Sequence, residues 1–119
     1  MKVRRGDVIL LEHPFSSGTG AKVRPVLVVQ NDRDNARLTN TVVVMITRTI
    51  HRAGNLDTQL LIDVSTAEGR SSGLKVTSAI ICSNLYTAHE QLIHKRIRSL
   101  PTATMSQVDG CLRAVLNLR

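Results

Sequence analysis

The sequence predicts a mainly β domain of the α+β class: a small antiparallel barrel with one covering helix at its C-terminal end. Three observations predict it. About five or six short apolar segments rich in Val, Leu and Ile follow one another, with turn residues between them. No helical pattern alternates with them, so the βαβ units of a doubly wound sheet are missing. One segment near the end of the chain changes to helical spacing.

Taken in order, Gly6-Asp7-Val8-Ile9-Leu10-Leu11-Glu12 reads as the first strand, ended by His13-Pro14. A Ser/Gly-rich loop leads into Arg24-Pro25-Val26-Leu27-Val28-Val29-Gln30. That unbroken aliphatic run suits a strand buried on both faces. Pro25 has no N–H for a ladder, so it belongs at the strand's first residue, and it pushes Arg24 into extended backbone. Arg24 then stands where a polar loop meets a core strand. Asn31-Asp32-Arg33-Asp34-Asn35 is turn chemistry with room for one helical turn. Residues 39–47 are strongly β, 48–57 are a loop turning at Gly54-Asn55, and 58–64 are the next strand. A loop over 67–73 precedes a strand over 76–83, with Asn84 and Tyr86 just past it. Residues 93–100 roughly alternate, as an edge strand would. Pro101 breaks the chain, and Thr104 with Gln107 makes a capping-box pattern. Met105, Val108, Leu112, Val115 and Leu116 then share one helical face. Gly110 inside this helix costs about 1 kcal/mol relative to Ala; close packing on the sheet is its expected use.

A chain of 119 residues supports one domain over 1–119. Sixteen Lys and Arg against nine Asp and Glu leave a net charge of +7, spread along the chain, which favours a polyanionic partner. Phe15 and Tyr86 are the aromatic residues, too few for a base-stacking platform, so contact with nucleic acid has to rest on charge and hydrogen bonds. No secretory leader or membrane span is expected, and Cys82 and Cys111 read as buried thiols in a reducing cytoplasm.

His13, His51, His89 and His94 lack metal-ligand spacing, and no phosphate-binding glycine loop or nucleophile elbow occurs. No metal or cofactor is expected. The residues do suit RNA cleavage by the substrate's own 2′-hydroxyl. That reaction needs a crowded, extra-charged phosphorane stabilised, the 2′-hydroxyl deprotonated and the leaving 5′-oxygen protonated. An Arg fork matches phosphate oxygens and a Thr hydroxyl can donate to them. Two strand ends, at Arg24 and Thr47, can bring both groups to one rim of a barrel. Lys22, Arg48, Arg52 and Lys75 lie in predicted loops near that rim and are the candidate RNA contacts.

These residues resemble the MazF/PemK family of toxin endoribonucleases. The resemblance rests on Arg5-Gly6-Asp7-Val8, on Lys22-Val23-Arg24-Pro25-Val26-Leu27-Val28-Val29-Gln30-Asn31-Asp32, on Thr41-Val42-Val43-Val44-Met45-Ile46-Thr47, on Ser78 with Thr87, and on the C-terminal helix. It implies an SH3-like barrel that dimerises and cuts single-stranded RNA at preferred sequences without a metal, leaving 2′,3′-cyclic phosphate and 5′-hydroxyl ends. A partner antitoxin with a disordered acidic tail covers the RNA groove in that family. The resemblance places Arg24 and Thr47 as the catalytic pair and Ser78 as a serine lining the site. It makes residues 15–23 a flap over the substrate. Ser17 and Thr19 of that flap, Asn31 and Asn84 complete the expected substrate-binding set.

The sequence also departs from the family. Gly18-Thr19 stands where many members carry Ser-Glu or His-Glu, and Ser83 stands where some carry an acid/base Asp. The general base is thereby left open, with His13 and His51 as replacements. The missing carboxylates also keep a second expectation: a non-catalytic toxin of the same fold that binds a protein target such as DNA gyrase.

Overall fold

The computed structural model describes residues 1–13 and 22–119. Among them, strands β1 (Asp7–His13), β2 (Lys22–Val28), β3 (Asn40–Thr47), β4 (Gln59–Ile62), β5 (Ser78–His89) and β6 (Ile93–Ser99) form one sheet. Their order is β4-β5-β3-β2-β1-β6, and every neighbouring pair is antiparallel. Helices α1 (Asp32–Arg37) and α2 (Ala67–Arg70) are short connections, and α3 (Thr102–Leu116) closes the chain.

Alternation along the central strands feeds two apolar clusters, one on each face. Val8, Leu27, Val44, Ile46 and Ile80 join Met105, Val108 and Cys111 of α3 on one side. Ile9, Leu11, Val26, Val28 and Val43 meet Val3, Ala88 and Ile93 on the other. Val26, Leu27 and Val28 are fully buried. That is why the aliphatic run of β2 is unbroken: each face has a core to fill, at about 1.5–3 kcal/mol per buried side chain.

Pro25 is not the first residue of its strand. It lies inside β2, opposite Leu10 of β1. Val28 accepts from Gly6 on the β1 side, while the Val29 N–H donates to Val42 on the β3 side. Alternation therefore aims the missing N–H of Pro25 at β3. The β2–β3 ladder begins only at Val26↔Met45. Pro25 is tolerated because its donor-less edge lies where pairing has stopped, and the two strands separate from there.

The Arg5-Gly6-Asp7 motif is a clasp. The Arg5 side chain donates to the Val29 carbonyl at 2.9 Å and to Asp109 of α3 at 2.6 Å. Gly6 has φ +97° and so takes the left-handed backbone that this turn requires. Asp7 is buried and accepts from the Arg4 N–H at 2.8 Å and the Ser99 hydroxyl at 2.5 Å.

Several boundaries differ from expectation, and Ala67–Arg70 is a short helix where a loop is predicted. β5 continues to His89, because pairing with β3 restarts after a bulge: Met45 faces Ile81, but Val44 faces Leu85. α3 begins at Thr102, with Pro101 at its N-cap and no side-chain cap, so Thr104 is a buried helical residue and not a cap. The fixed φ of Pro101 starts the helix instead. Gly110 meets nothing within 4 Å of an added Cβ, so it faces outward and packs on no strand.

β6 is an edge strand, as its alternation predicts, and so is β4. Among the described residues these two edges share no ladder. The loop after α2 lies against β6: at Gly73, an added Cβ would stand 2.3 Å from Arg98 Cγ and 2.7 Å from Ile97 Cγ2. Only glycine permits that approach, at φ +76°.

Candidate active site

The separation of β2 from β3 creates the site. Continuing their register two residues beyond Val26↔Met45 brings Arg24 opposite Thr47. Both line a concavity of about 630 Å³, together with Arg48, Lys75, Ser78 and Lys95. Its floor is apolar, from Leu10, Pro25, Ile46 and Ile97. Four cations line it (Arg24, Arg48, Lys75 and Lys95), and no carboxylate or imidazole does among the described residues. None of the four is ion-paired among the described residues. The arrangement is a basic trough with three hydroxyls, from Thr47, Thr49 and Ser78, suited to a phosphodiester.

Local bonds orient the hydroxyls. Thr47 Oγ1 accepts from the Thr49 N–H at 3.2 Å, which leaves its own hydrogen to donate into the concavity. Ser78 is buried and its hydroxyl donates to the Val76 carbonyl at 2.9 Å, so it shapes the rim that carries Lys75.

A second concavity of about 360 Å³ shares Thr47 and Thr49 with the first and adds His51, Arg52, Gln59 and Ile81. Arg52 therefore lies beside the Arg24 group and not within it. The remaining expected residues are elsewhere. Asn31 lies past the opposite end of β2, where its Oδ1 caps α1 by accepting from the Asp34 N–H at 2.9 Å. Asn84 sits in the β5 bulge, its amide 3.5 Å from Met45 Sδ. Ser83 is exposed in the same bulge and lines neither concavity. Lys22 opens β2 opposite His13. Ser17 and Thr19 lie outside the described residues.

Sequence reasoning missed Thr49 and Lys95. Thr49 is legible only through its bond to Thr47. Lys95 reaches the site because β6 pairs β1 at Leu10↔Lys95, between two register shifts that no periodicity reveals.

Among the described residues no group of three His, Cys, Asp or Glu side chains is placed to hold a metal ion. Cys82 and Cys111 are free thiols facing each other between β5 and α3, away from both concavities. Burial raises both, and it pushes Cys82 up to about 12, with Cys111 adding to the effect. Tyr86 packs against the second cluster. No helix among the described residues is long and apolar enough to cross a membrane.

Comparison with known proteins supplies the rest. A family described as PemK-like, MazF-like toxin of type II toxin-antitoxin system matches residues 4–116. Endoribonuclease EndoA of Bacillus subtilis (strain 168) is 33% identical over 119 residues, which are 99% of this chain and 97% of that protein. An endoribonuclease solved with its cognate antitoxin, from a mycobacterial species, superposes with a TM-score of 0.76 at 19% identity, covering 98% of this chain and 97% of that one. MazE-MazF from Deinococcus radiodurans gives a TM-score of 0.73 at 16% identity, with both chains covered completely at 100%. At such identities the two structures speak for a shared fold.

Proposed function

The chain belongs to the PemK-like, MazF-like family of toxins of type II toxin–antitoxin systems, and from that premise we propose that it is an endoribonuclease. Its substrate is single-stranded RNA, cut at short preferred sequences without a metal. The observation that carries this reading is that Arg24 and Thr47 line one concavity with three further cations, where β2 and β3 part.

The chemistry follows from the groups present. The scissile phosphate sits between Arg24 and Thr47. The guanidinium spans two non-bridging oxygens and the threonine hydroxyl donates to one of them. Both contacts strengthen as the 2′-oxygen attacks and the phosphorane gains charge, which is what lowers the barrier. Expulsion of the 5′-oxygen leaves a 2′,3′-cyclic phosphate and a 5′-hydroxyl. Lys75, Lys95, Arg48 and Arg52 hold the flanking backbone as charges. Ser17, Thr19 and Lys22 add hydrogen-bond donors to the RNA.

The relatives suggest the regulation. In the mycobacterial and Deinococcus structures the toxin is seen with an antitoxin. A cationic trough of this kind suits an acidic, disordered antitoxin tail that competes with RNA. A homodimer acting in the cytoplasm completes the proposal.

The test is incubation of purified protein with a long single-stranded RNA in EDTA, followed by mapping of 5′ ends. Discrete cuts bearing 5′-hydroxyls are expected. Arg24→Ala should lose activity by about a hundredfold or more, and Thr47→Ala by a smaller factor, with both folds intact. A folded Arg24→Ala protein that cuts at the wild-type rate would sink the proposal. Intact RNA together with broken DNA in arrested cells would instead place the protein among toxins that bind gyrase.

A further inference from the structure

We propose that His51 is the proton acceptor for the ribose 2′-hydroxyl, an inference that rests on the RNA-cleaving reading above. In-line attack forms the P–O2′ bond and breaks the P–O5′ bond. The 2′-hydroxyl proton must pass to a base during that step, and among the described residues the trough itself holds none. Arginine and lysine ordinarily carry their protons near neutrality and cannot take another. Serine and threonine hydroxyls are too weakly basic. Residues 14–21 read Pro-Phe-Ser-Ser-Gly-Thr-Gly-Ala, so this segment has no ionisable side chain to offer.

The adjoining concavity does hold a base. His51 lines it, and Thr47 and Thr49 are the wall common to both spaces. A nucleotide whose phosphate lies between Arg24 and Thr47 has its ribose beside that wall. The backbone that carries His51 is also held in place. With Arg52 it forms the corner of a turn closed by the Ala53 N–H on the Ile50 carbonyl at 3.0 Å. The Arg52 carbonyl then accepts from Asn55 and Leu56 at 3.0 and 3.1 Å. The ring is exposed to an incoming ligand. Two other histidines are engaged elsewhere: His89 Nδ1 accepts from the Gln91 N–H at 3.0 Å, and His94 lies 3.7 Å from Glu12. Arg52 is the one charged neighbour lining the concavity among the described residues. Arg48 and Asp57 are the remaining charged groups of the same connection.

The proton balance closes without another protein group. The imidazole takes the 2′-hydroxyl proton, the departing 5′-oxygen takes one from water, and the resulting hydroxide recovers the proton from the imidazolium. The step thus needs the neutral ring, so the rate should fall on the acid side.

The experiment measures single-turnover cleavage of a short RNA containing a mapped site, in EDTA, from roughly pH 5.5 to 9. Wild type should show a rate rising about tenfold per pH unit on the acid side before levelling. His51→Ala should be slower by about a hundredfold at neutral pH, lack the acid limb, bind RNA normally and recover in part with added imidazole. His13→Ala should keep the wild-type profile. The inference is overturned by a His51→Ala protein within about threefold of wild type and with its acid limb intact. Loss of the limb in His13→Ala instead also overturns it. A wild-type protein that cuts no RNA defeats the underlying reading and this one with it, and that result is distinct from either variant outcome.

Discussion

Cys82 and Cys111 show how burial alone sets side-chain chemistry in this protein. The Cys82 thiol, fully buried, stays protonated up to about 12, against 9.0 for a free cysteine. The unfolded chain ionises first as pH rises, so the stability contributed by the neutral thiol is complete below pH 9.0 and lost towards about 12. The urea midpoint should therefore fall between these limits, and a Cys82→Ala, Cys111→Ala protein should fall less steeply. Equal slopes would contradict the assignment. Single residues were unevenly legible. Arg24 and Thr47 could be paired from sequence because each ends an apolar run. Asn31 could not be separated from them, since capping α1 and binding a ligand call for the same amide. Lys95 was hidden because its place depends on register shifts in β6.

At the level of elements, composition located the strands and tertiary pairing set their ends. β5 outran its apolar segment because Val44 offered Leu85 a partner beyond the bulge. β2 began early because Glu12 and His13 offered partners to Val23 and Lys22. α3 illustrates the opposite error. Met105, Val108, Leu112 and Val115 face the core as their spacing predicts, but Leu116 is exposed at the helix end, and Gly110, expected to pack on the sheet, faces open space. Gly110→Ala should accordingly raise stability by about 1 kcal/mol, visible as a higher urea midpoint with an unchanged m-value. A lower midpoint would show that this helix face is not open.

Over the whole molecule, charge and fold divide the work. The two apolar clusters contain no lysine or arginine, and apart from Arg5 in its clasp the lysines and arginines are exposed at the surface. The four cations of the trough predict a specific salt response. If each meets one phosphate, the logarithm of RNA affinity should fall with the logarithm of salt at a slope of about −0.7 per contact, near −3 in all. Lys75→Ala or Lys95→Ala should each reduce that slope by about 0.7 without changing the cleavage sequence. An unchanged slope would remove that lysine from the RNA path. The barrel class was legible because succession of strands and one terminal helix leave few alternatives. The gap between β4 and β6, covered at Gly73, was not, since nothing local marks which edges approach each other.

The missing hydrogen of Pro25 has a consequence that reaches beyond the sheet. It stops β2 and β3 from zipping further, so the opening that holds Arg24 and Thr47 persists without a bound ligand to wedge it apart. Pro25→Val would restore the donor and invite one more rung. The sheet should then resist exchange of its β3 amides for longer, while RNA cleavage slows as the opening narrows. Stability and activity are in tension at this one position, and the natural residue sits on the side of activity.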